Sequence, residues 1–300
     1  MQRQEVRGPR TKLAEDVRAV TGLFKMRIGV VITWTALAAA ATTPGQGLPA
    51  WKFAVLAFSV FIASAAAGAL NQYLERDIDA RMSRTRNRPF VTGAAAHDGR
   101  WVWLIMALTA GAVLAAAYSI NMLTALYVFL GAFFYAVVYT AWLKRRTWMN
   151  IVIGGLAGSF AVLAGAAAVA PGLPMQALIL AIVLFLWTPS HFWSLAIAYR
   201  EDYLAAKVPM LPVVIGNART ARVILANTVV LVAVSLLPVF YGSGWIYLAG
   251  AAAGGAWFIL RNIDLVRRPD DRRTAMRSFF ASLVQLSLLL AAAMIDAALL

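Results

Sequence analysis

The chain contains no cysteine, and it contains little charge. Without cysteine, its 300 residues hold no disulfide, no thiolate nucleophile and no Cys-ligated metal site. Charged residues make up 13% of the chain, against about a quarter in a typical soluble domain, while 62% are hydrophobic. A water-soluble fold could not bury so much apolar side chain, so the sequence predicts an integral membrane protein.

Acidic residues are especially scarce. The chain has 13 Asp and Glu residues against 27 Lys and Arg residues, which gives a formal net charge of +14. Such a charge would suit nucleic acid, but the basic residues form short clusters between long apolar runs. That arrangement is typical of membrane topogenesis, so we expect membrane lipid and no nucleic acid as a partner.

Nine apolar stretches approach the roughly 20 residues that a helix needs to cross a bilayer. They predict an all-α, polytopic membrane protein with nine transmembrane helices. The predicted spans cover residues 27–43, 53–74, 101–119, 122–143, 149–170, 177–198, 223–241, 245–260 and 279–299. Before them, residues 10–26 are expected to form either a short helix on the membrane surface or a frayed tail.

The basic residues lie almost entirely on one side of these spans. Of the 27 Lys and Arg residues, 26 fall in the N-terminal segment and in alternate loops. By the positive-inside rule the N-terminus is cytoplasmic, and nine spans then place the C-terminus outside. We expect residues 1–26 to be a cytoplasmic segment and residues 27–300 to be one membrane domain. The polar N-terminus lacks the features of a signal or transit peptide. This favours the inner (plasma) membrane of a bacterial cell. Any active site built from the charged loops is expected on the cytoplasmic side.

The second predicted span ends in a series of polar side chains. Asn71, Glu75 and Asp79 are spaced i, i+4 and i+8, so on a helix they share one face. Carboxylates at a membrane boundary are costly unless positive charge lies against them. Two interpretations stay open. The series holds a hard divalent cation such as Mg²⁺, which prefers oxygen ligands, or it is a helix end whose acids pair with the arginines that follow.

A basic loop follows this series directly. Arg84 and Arg88 belong to a run of arginines at alternating positions before Pro89. Beside a carboxylate face, such a loop suits an anion too negative for one metal to neutralise, such as a diphosphate. The alternative is that these residues only orient the protein in the membrane. The same two interpretations apply to Lys144, at the end of the fourth predicted span.

A second polar cluster lies at the end of the sixth predicted span. His191 lies in apolar sequence and Asp202 follows 11 positions later, so a continuous helix places them on nearly the same face. Lys207 lies a few residues beyond. His191 either serves a ligand or is hydrogen-bonded between helices. Because the second and sixth spans are four apart, both clusters face the same side, as in two related four-helix halves followed by a ninth helix.

Taken in order, these motifs resemble those of the UbiA-type intramembrane prenyltransferases. The run Asn71-x-x-x-Glu75-x-x-x-Asp79, followed by Arg84-Thr-Arg-Asn-Arg-Pro89, is similar to the family's first motif. Stretches 139–155, 188–193 and 202–213 are similar to one branch, the protohaem IX farnesyltransferases. Glu75 stands where the superfamily usually has Asp, and His191 replaces an acid, as it does in the haem branch. Residues 160–165 depart from the sequence usual in relatives.

This resemblance implies a prenyltransferase that moves a farnesyl group from farnesyl diphosphate to haem B, with Mg²⁺ as cofactor. It assigns the first Mg²⁺ site to Asn71, Glu75 and Asp79, the second Mg²⁺ site to Asp202, and a catalytic role to all four residues. The candidate diphosphate contacts are Arg84, Arg88, Lys144 and Lys207. The candidate acceptor pocket contains His191, Tyr139 and Asn150.

Three rival functions share parts of this pattern. A related prenyltransferase acting on an aromatic acid or another tetrapyrrole would have the same metal site and a different acceptor. A transporter of an anionic substrate would use the arginines as its binding site, although transporters place charged residues near the membrane midplane rather than at helix ends. The third rival is a structural or assembly subunit.

Overall fold

The computed structural model describes residues 21–45 and 47–299. All regular structure in these residues is helical, which confirms the predicted all-α class. The long helices are α1 Met26–Thr42, α2 Ala50–Leu74, α3 Arg100–Ser119, α4 Met122–Leu143, α5 Asn150–Val169, α6 Met175–Ala198, α7 Asn217–Tyr241, α8 Trp245–Arg267 and α9 Arg272–Leu299. The surface helix predicted for residues 10–26 falls mostly on residues outside the described part of the chain.

Within the described ranges, seven of these helices are long and apolar enough to cross a membrane. The two others are α1, which has only 17 residues, and α8, whose last turns carry Arg261, Asp264 and Arg267. Both α8 and α9 extend past the predicted spans into polar sequence. Hydropathy marks only the part of a helix that lies in lipid, whereas the helix itself continues as long as its backbone hydrogen bonds do.

The outer surface of the bundle is apolar. Large side chains such as Phe58, Trp103, Leu114 and Phe240 are more than half exposed. A soluble monomer rarely exposes so much apolar area, and in a bilayer such side chains contact lipid tails. The chain is therefore a multi-pass membrane protein.

Two hydrophobic cores hold the bundle together. One core contains residues of all five helices from α1 to α5 and is built largely from alanine. The other contains residues of the four helices from α6 to α9 and has larger side chains. α1 and α5 border both cores. They approach closely where Gly165 lies against the main chain of Ala36, a contact that leaves no room for a Cβ atom. Small residues let helices come together in lipid in this way.

The two inter-helix connections at one end of the bundle pack on each other. Short helices Arg76–Asp79 and Pro89–Thr92 join α2 to α3, and short helices Arg200–Ala205 and Leu211–Ile215 join α6 to α7. Apolar residues of both connections share one buried cluster that includes Ile78, Met82, Tyr203, Val208 and Met210. This packing brings Asp202, from the second polar cluster, against the basic loop that follows Asp79.

α4 changes its helix type along its length. It is α-helical over Met122–Phe133 and π-helical over Phe134–Leu143, and the main-chain N–H of Lys144 bonds to the carbonyl of Tyr139 at 2.9 Å. A π-helix has one more residue per hydrogen-bonded turn than an α-helix and is often found at functional sites. The wide turns set the directions in which the last side chains of α4 point.

Candidate active site

The polar side chains at the end of α2 are buried. Asn71, Glu75 and Asp79, here called the polar ladder, are each at most 2% exposed. α2 ends at Leu74, and Glu75 and Asp79 lie at its junction with the next short helix. Because a buried charge without a partner costs several kcal/mol, some neighbouring group has to neutralise each carboxylate.

Each member of the polar ladder has its own basic partner. Lys144 donates to Glu75 at 2.6 Å, and Arg88 donates to Asp79 at 2.7 Å. Lys25 donates to the amide oxygen of Asn71. The partners come from three different parts of the chain, so the pairs exist only in the folded protein.

One carboxylate oxygen of the ladder has no partner. Oε1 of Glu75 is buried and makes no hydrogen bond in the described structure. Carboxylate and amide oxygens are the ligands that hard divalent cations prefer. The donor set of the ladder therefore fits such a cation. In the described ranges, no three His, Cys, Asp or Glu side chains converge as a metal site, so Asp202 does not share a single cluster with Glu75 and Asp79.

Asp202 lies against the basic loop that follows the ladder. Its carboxylate accepts hydrogen bonds from the hydroxyl of Ser83 at 2.8 Å and from the main-chain N–H of Arg84 at 3.4 Å. The guanidinium of Arg84 lies over the ring of Tyr199, 5.7 Å from its centre. Asp202 thus holds the loop that leads from Asp79 to Arg88.

Lys25 is a site residue that sequence reasoning missed. Its ammonium group also bonds to the hydroxyl of Tyr135 at 3.1 Å. Burial lowers the pKa of Lys25 to about 7, and the nearby charge of Arg88 adds to this effect. The one feature of the sequence that could have pointed to Lys25 is its position directly before the first apolar stretch.

The π-helical part of α4 forms one wall of the site. Thr140 accepts a hydrogen bond from the amide of Asn71 at 3.0 Å, and the rings of Tyr135 and Tyr139 stack 5.7 Å apart. Lys144 lies 5.6 Å from the centre of the Tyr139 ring. Of the candidate acceptor residues, Tyr139 is therefore next to the ladder's partners.

An exposed ion pair borders the site. Arg145 forms two hydrogen bonds with the carboxylate of Asp77, at 2.6 and 2.7 Å. These bonds hold the pKa of Asp77 below its usual value and raise that of Arg145. Asp77 points away from the ladder face, as its spacing from Glu75 and Asp79 requires.

Three other candidates lie apart from the ladder's contacts. His191 packs between the rings of Trp187 and Phe279, and its Nδ1 lies 2.6 Å from the hydroxyl of Ser282, so its visible role is to join α6 to α9. Asn150 donates to the carbonyl of Thr147 at 2.6 Å, while its own Oδ1 is buried without a partner. Lys207 is exposed, with a left-handed backbone at φ 56°.

The sequence matches a family model and several named proteins. Residues 32–284 match the model of the UbiA prenyltransferase family. The chain is 55% identical to protoheme IX farnesyltransferase 2 of Paramagnetospirillum magneticum, covering 95% of this chain and 98% of that protein. It is 47% identical to protoheme IX farnesyltransferase 1 of the same organism, covering 91% and 96%.

Solved structures share the fold at low sequence identity. A structure of digeranylgeranylglyceryl phosphate synthase superposes with a TM-score of 0.78 at 18% identity, covering 95% of this chain and 100% of that one. A UbiA homologue from Archaeoglobus fulgidus bound to DMAPP and Mg²⁺ superposes with a TM-score of 0.67 at 16% identity, covering 90% and 98%. These likenesses establish the arrangement of the helices.

Proposed function

The chain belongs to the UbiA prenyltransferase family, and from that premise we propose that it transfers the farnesyl group of farnesyl diphosphate to a vinyl group of haem B, giving haem O. The observation that carries the chemistry is the buried polar ladder with a basic partner on each member. The choice of haem as acceptor is supported by the 55% identity to a protein named for that reaction.

We propose that the polar ladder holds a divalent cation, Mg²⁺, and that Asp202 serves a second one. The unpartnered Oε1 of Glu75 supports the first site. A bound cation of this kind supplies positive charge that neutralises the diphosphate and makes it a better leaving group. Asp202 also fixes the loop through Ser83 and the main chain of Arg84, so it acts on the diphosphate contacts as well.

The basic partners of the ladder are the proposed contacts of the diphosphate. Arg88, Lys144 and Lys25 already lie within hydrogen-bond distance of the ladder. Arg84 and Lys207, the other two proposed contacts, are exposed. Charge-assisted bonds to phosphate oxygens would replace their bonds to the ladder when substrate binds. The farnesyl chain then extends from this boundary into the apolar part of the bundle.

Water has to be excluded while the first, allylic cation develops, because water would otherwise capture it before haem does. The bond between the first farnesyl carbon and oxygen breaks, and its electron pair leaves with the diphosphate. The vinyl electrons of haem form the new carbon–carbon bond, and water captures the resulting cation and releases a proton. The stacked rings of Tyr135 and Tyr139 beside the ladder suit a developing allylic cation, since aromatic faces attract positive charge.

We propose further that all nine long helices cross the membrane, with the N-terminus in the cytoplasm and the C-terminus outside. The one-sided placement of 26 of the 27 basic residues supports this orientation. With this orientation, the proposed location of the polar ladder is the cytoplasmic face of a plasma membrane. We propose that the single membrane domain consists of two related halves of four helices each, followed by a ninth helix.

The decisive experiment is mass spectrometry of haem extracted after incubation with haem B, farnesyl diphosphate and Mg²⁺. We expect a product heavier by farnesyl plus water, which EDTA abolishes and added Mg²⁺ restores. Asp79→Asn and Asp202→Asn should lower turnover by about 10²-fold or more. Asp77→Asn, in the same segment but off the ladder face, should keep most of the activity.

Two outcomes would contradict parts of this proposal. If farnesyl diphosphate binds but haem is not modified, the acceptor is wrong and aromatic acids become the next compounds to test. If Asp79→Asn retains near-normal turnover, the metal assignment to the ladder is wrong.

A further inference from the structure

Arginines of the α8–α9 turn line a small pocket that the proposed reaction does not use. The pocket has a volume of about 190 Å³ and lies where α8 ends and α9 begins. Its lining consists of Arg267, Arg268, Arg277, Asp264 and Thr274.

The positive charge of this pocket is not neutralised by its own acid. Asp264 pairs with Arg261 at 3.0 Å, and the hydroxyl of Thr274 donates to Asp271 at 2.5 Å. Over residues 21–45 and 47–299, no ion pair involves the three pocket arginines. Clustered guanidinium groups without acidic partners recognise carboxylates and phosphates. An anion in this pocket would therefore meet positive charge that no ion pair neutralises.

Tyr199 connects this pocket to the polar ladder's end of the bundle. Arg272, in the same turn as the pocket arginines, lies with its guanidinium 4.8 Å from the centre of the Tyr199 ring. Arg84, from the loop beside Asp202, lies 5.7 Å from the centre of the same ring. The two guanidinium carbons are thus separated by no more than the sum of these distances. The pocket at the α8–α9 turn and the loop from Asp79 to Arg88 therefore lie near each other at the same end of the bundle.

We propose that this arginine pocket, formed by Arg267, Arg268 and Arg277, binds the propionate carboxylates of the haem acceptor. This inference rests on the proposed function, because it takes haem B as the acceptor. Haem carries its vinyl groups on one edge and its two propionates on the opposite edge. A vinyl group has to reach the dry reaction site, and the carboxylates then need a cationic site nearby at the polar boundary.

The membrane favours the same orientation of haem. A carboxylate placed in the hydrocarbon region is costly, whereas one at the boundary meets water and basic side chains. The pocket arginines lie at the polar ends of α8 and α9, so propionates bound there would stay outside the lipid tails. The pocket would thereby select a porphyrin with free acids and fix which edge faces the farnesyl carbon.

The test compares haem B with its dimethyl ester, in which both carboxylates are masked. Full-length protein in nanodiscs of neutral lipid is titrated with each compound by absorbance, without farnesyl diphosphate. We expect wild type to bind haem B at least roughly tenfold more tightly than the ester. Arg277→Gln and Arg268→Gln should remove most of this preference while leaving ester affinity and the KM for farnesyl diphosphate unchanged.

Arg273→Gln is the matched control, because Arg273 is exposed in the same turn and does not line the pocket. It should bind both compounds like wild type. Undiminished preference for haem B in both pocket variants would overturn the propionate assignment and leave the proposed reaction standing. An effect of the variants that appears only when phosphatidylglycerol is added would identify a lipid head group as the occupant instead. Absence of haem binding by wild type would overturn this inference together with the proposed acceptor.

Discussion

The ion pair between Glu75 and Lys144 is buried almost completely. The Glu75 side chain is 1% exposed and that of Lys144 is 11% exposed, with 2.6 Å between the charged atoms. Removing one partner leaves the other charge buried, which costs about 3–5 kcal/mol, whereas removing both is often close to neutral. The pair therefore adds little to the free energy of unfolding by itself, but losing one of its two partners is strongly destabilising.

This difference gives a testable pattern at the residue scale. Lys144→Met alone should destabilise the protein by about 3–5 kcal/mol, and the double variant with Glu75→Gln should recover most of that loss. Thermal unfolding in one detergent measures both, with Arg145→Met as a control at the neighbouring exposed pair. Additive losses in the double variant would show that the two charges do not depend on each other.

Sequence reasoning predicted half of this residue-scale picture. The spacing of Asn71, Glu75 and Asp79 follows from helix geometry, so their shared face could be predicted. Lys25 reaches Asn71, and Tyr135 reaches Lys25, only through tertiary packing, which spacing does not encode. The site roles of the candidates remain predictions, and His191 is a case where a single sequence could not decide between a ligand and a contact between helices.

At the scale of elements, the π-helical end of α4 sets the geometry of the site. Phe134–Leu143 has wide turns, and the residues that follow include Lys144, the partner of Glu75. Hydropathy cannot reveal a π-helix, because the apolar pattern of a fully apolar span is the same in both helix types. The predicted span of 122–143 therefore has the same bounds as the helix, but the sequence did not predict that its second half is π-helical.

Deleting one residue from this segment should convert it to an α-helix. Val137 is exposed, so its deletion removes little packing, but loss of the wide turns changes the directions in which Tyr139, Thr140 and Lys144 point. Lys144 would lose Glu75, and we expect farnesyl transfer to fall below a tenth of wild type while the protein still inserts. Val137→Ala is the control for the side chain alone. Activity close to wild type in the deletion variant would show that the wide turns are dispensable.

Asp296 connects two helices at the opposite end of the bundle. Its carboxylate accepts hydrogen bonds from the main-chain N–H groups of Gly244 at 2.5 Å and Tyr247 at 3.3 Å, at the start of α8. Asp296 thereby caps the start of α8. The sequence could not predict this cap, because Asp296 and Gly244 are 52 residues apart in the chain.

Loss of this cap should affect stability and not chemistry. Asp296→Ala should cost about 1–2 kcal/mol, since two main-chain donors lose their acceptor, while Asp296→Asn should cost less. Melting temperature and haem O formation measured on the same preparations separate the two effects. A fall in turnover without a fall in melting temperature would contradict a purely structural role.

At the scale of the whole molecule, the absence of cysteine makes the proposed orientation easy to test. Ala94→Cys lies in the connection between α2 and α3, and Gly172→Cys lies between α5 and α6; both positions are exposed. A membrane-impermeant maleimide added to intact spheroplasts should label Gly172→Cys and leave Ala94→Cys unlabelled. Lysis should then make Ala94→Cys reactive. The reverse pattern would place the polar ladder on the outer side.

The pairing of the ladder with its own cations has a consequence for the order in which ligands bind. Under the proposed function, a metal arriving alone would have to displace Lys144 and Arg88 from the carboxylates. A diphosphate arriving alone would have to draw the same cations away and leave the carboxylates without partners. Each ligand relieves the penalty that the other incurs. We therefore expect the two to bind cooperatively, and because such coupling is reciprocal, each should raise the affinity for the other by the same factor. The resting protein would hold neither ligand firmly, so free metal and free diphosphate exchange readily until both are present.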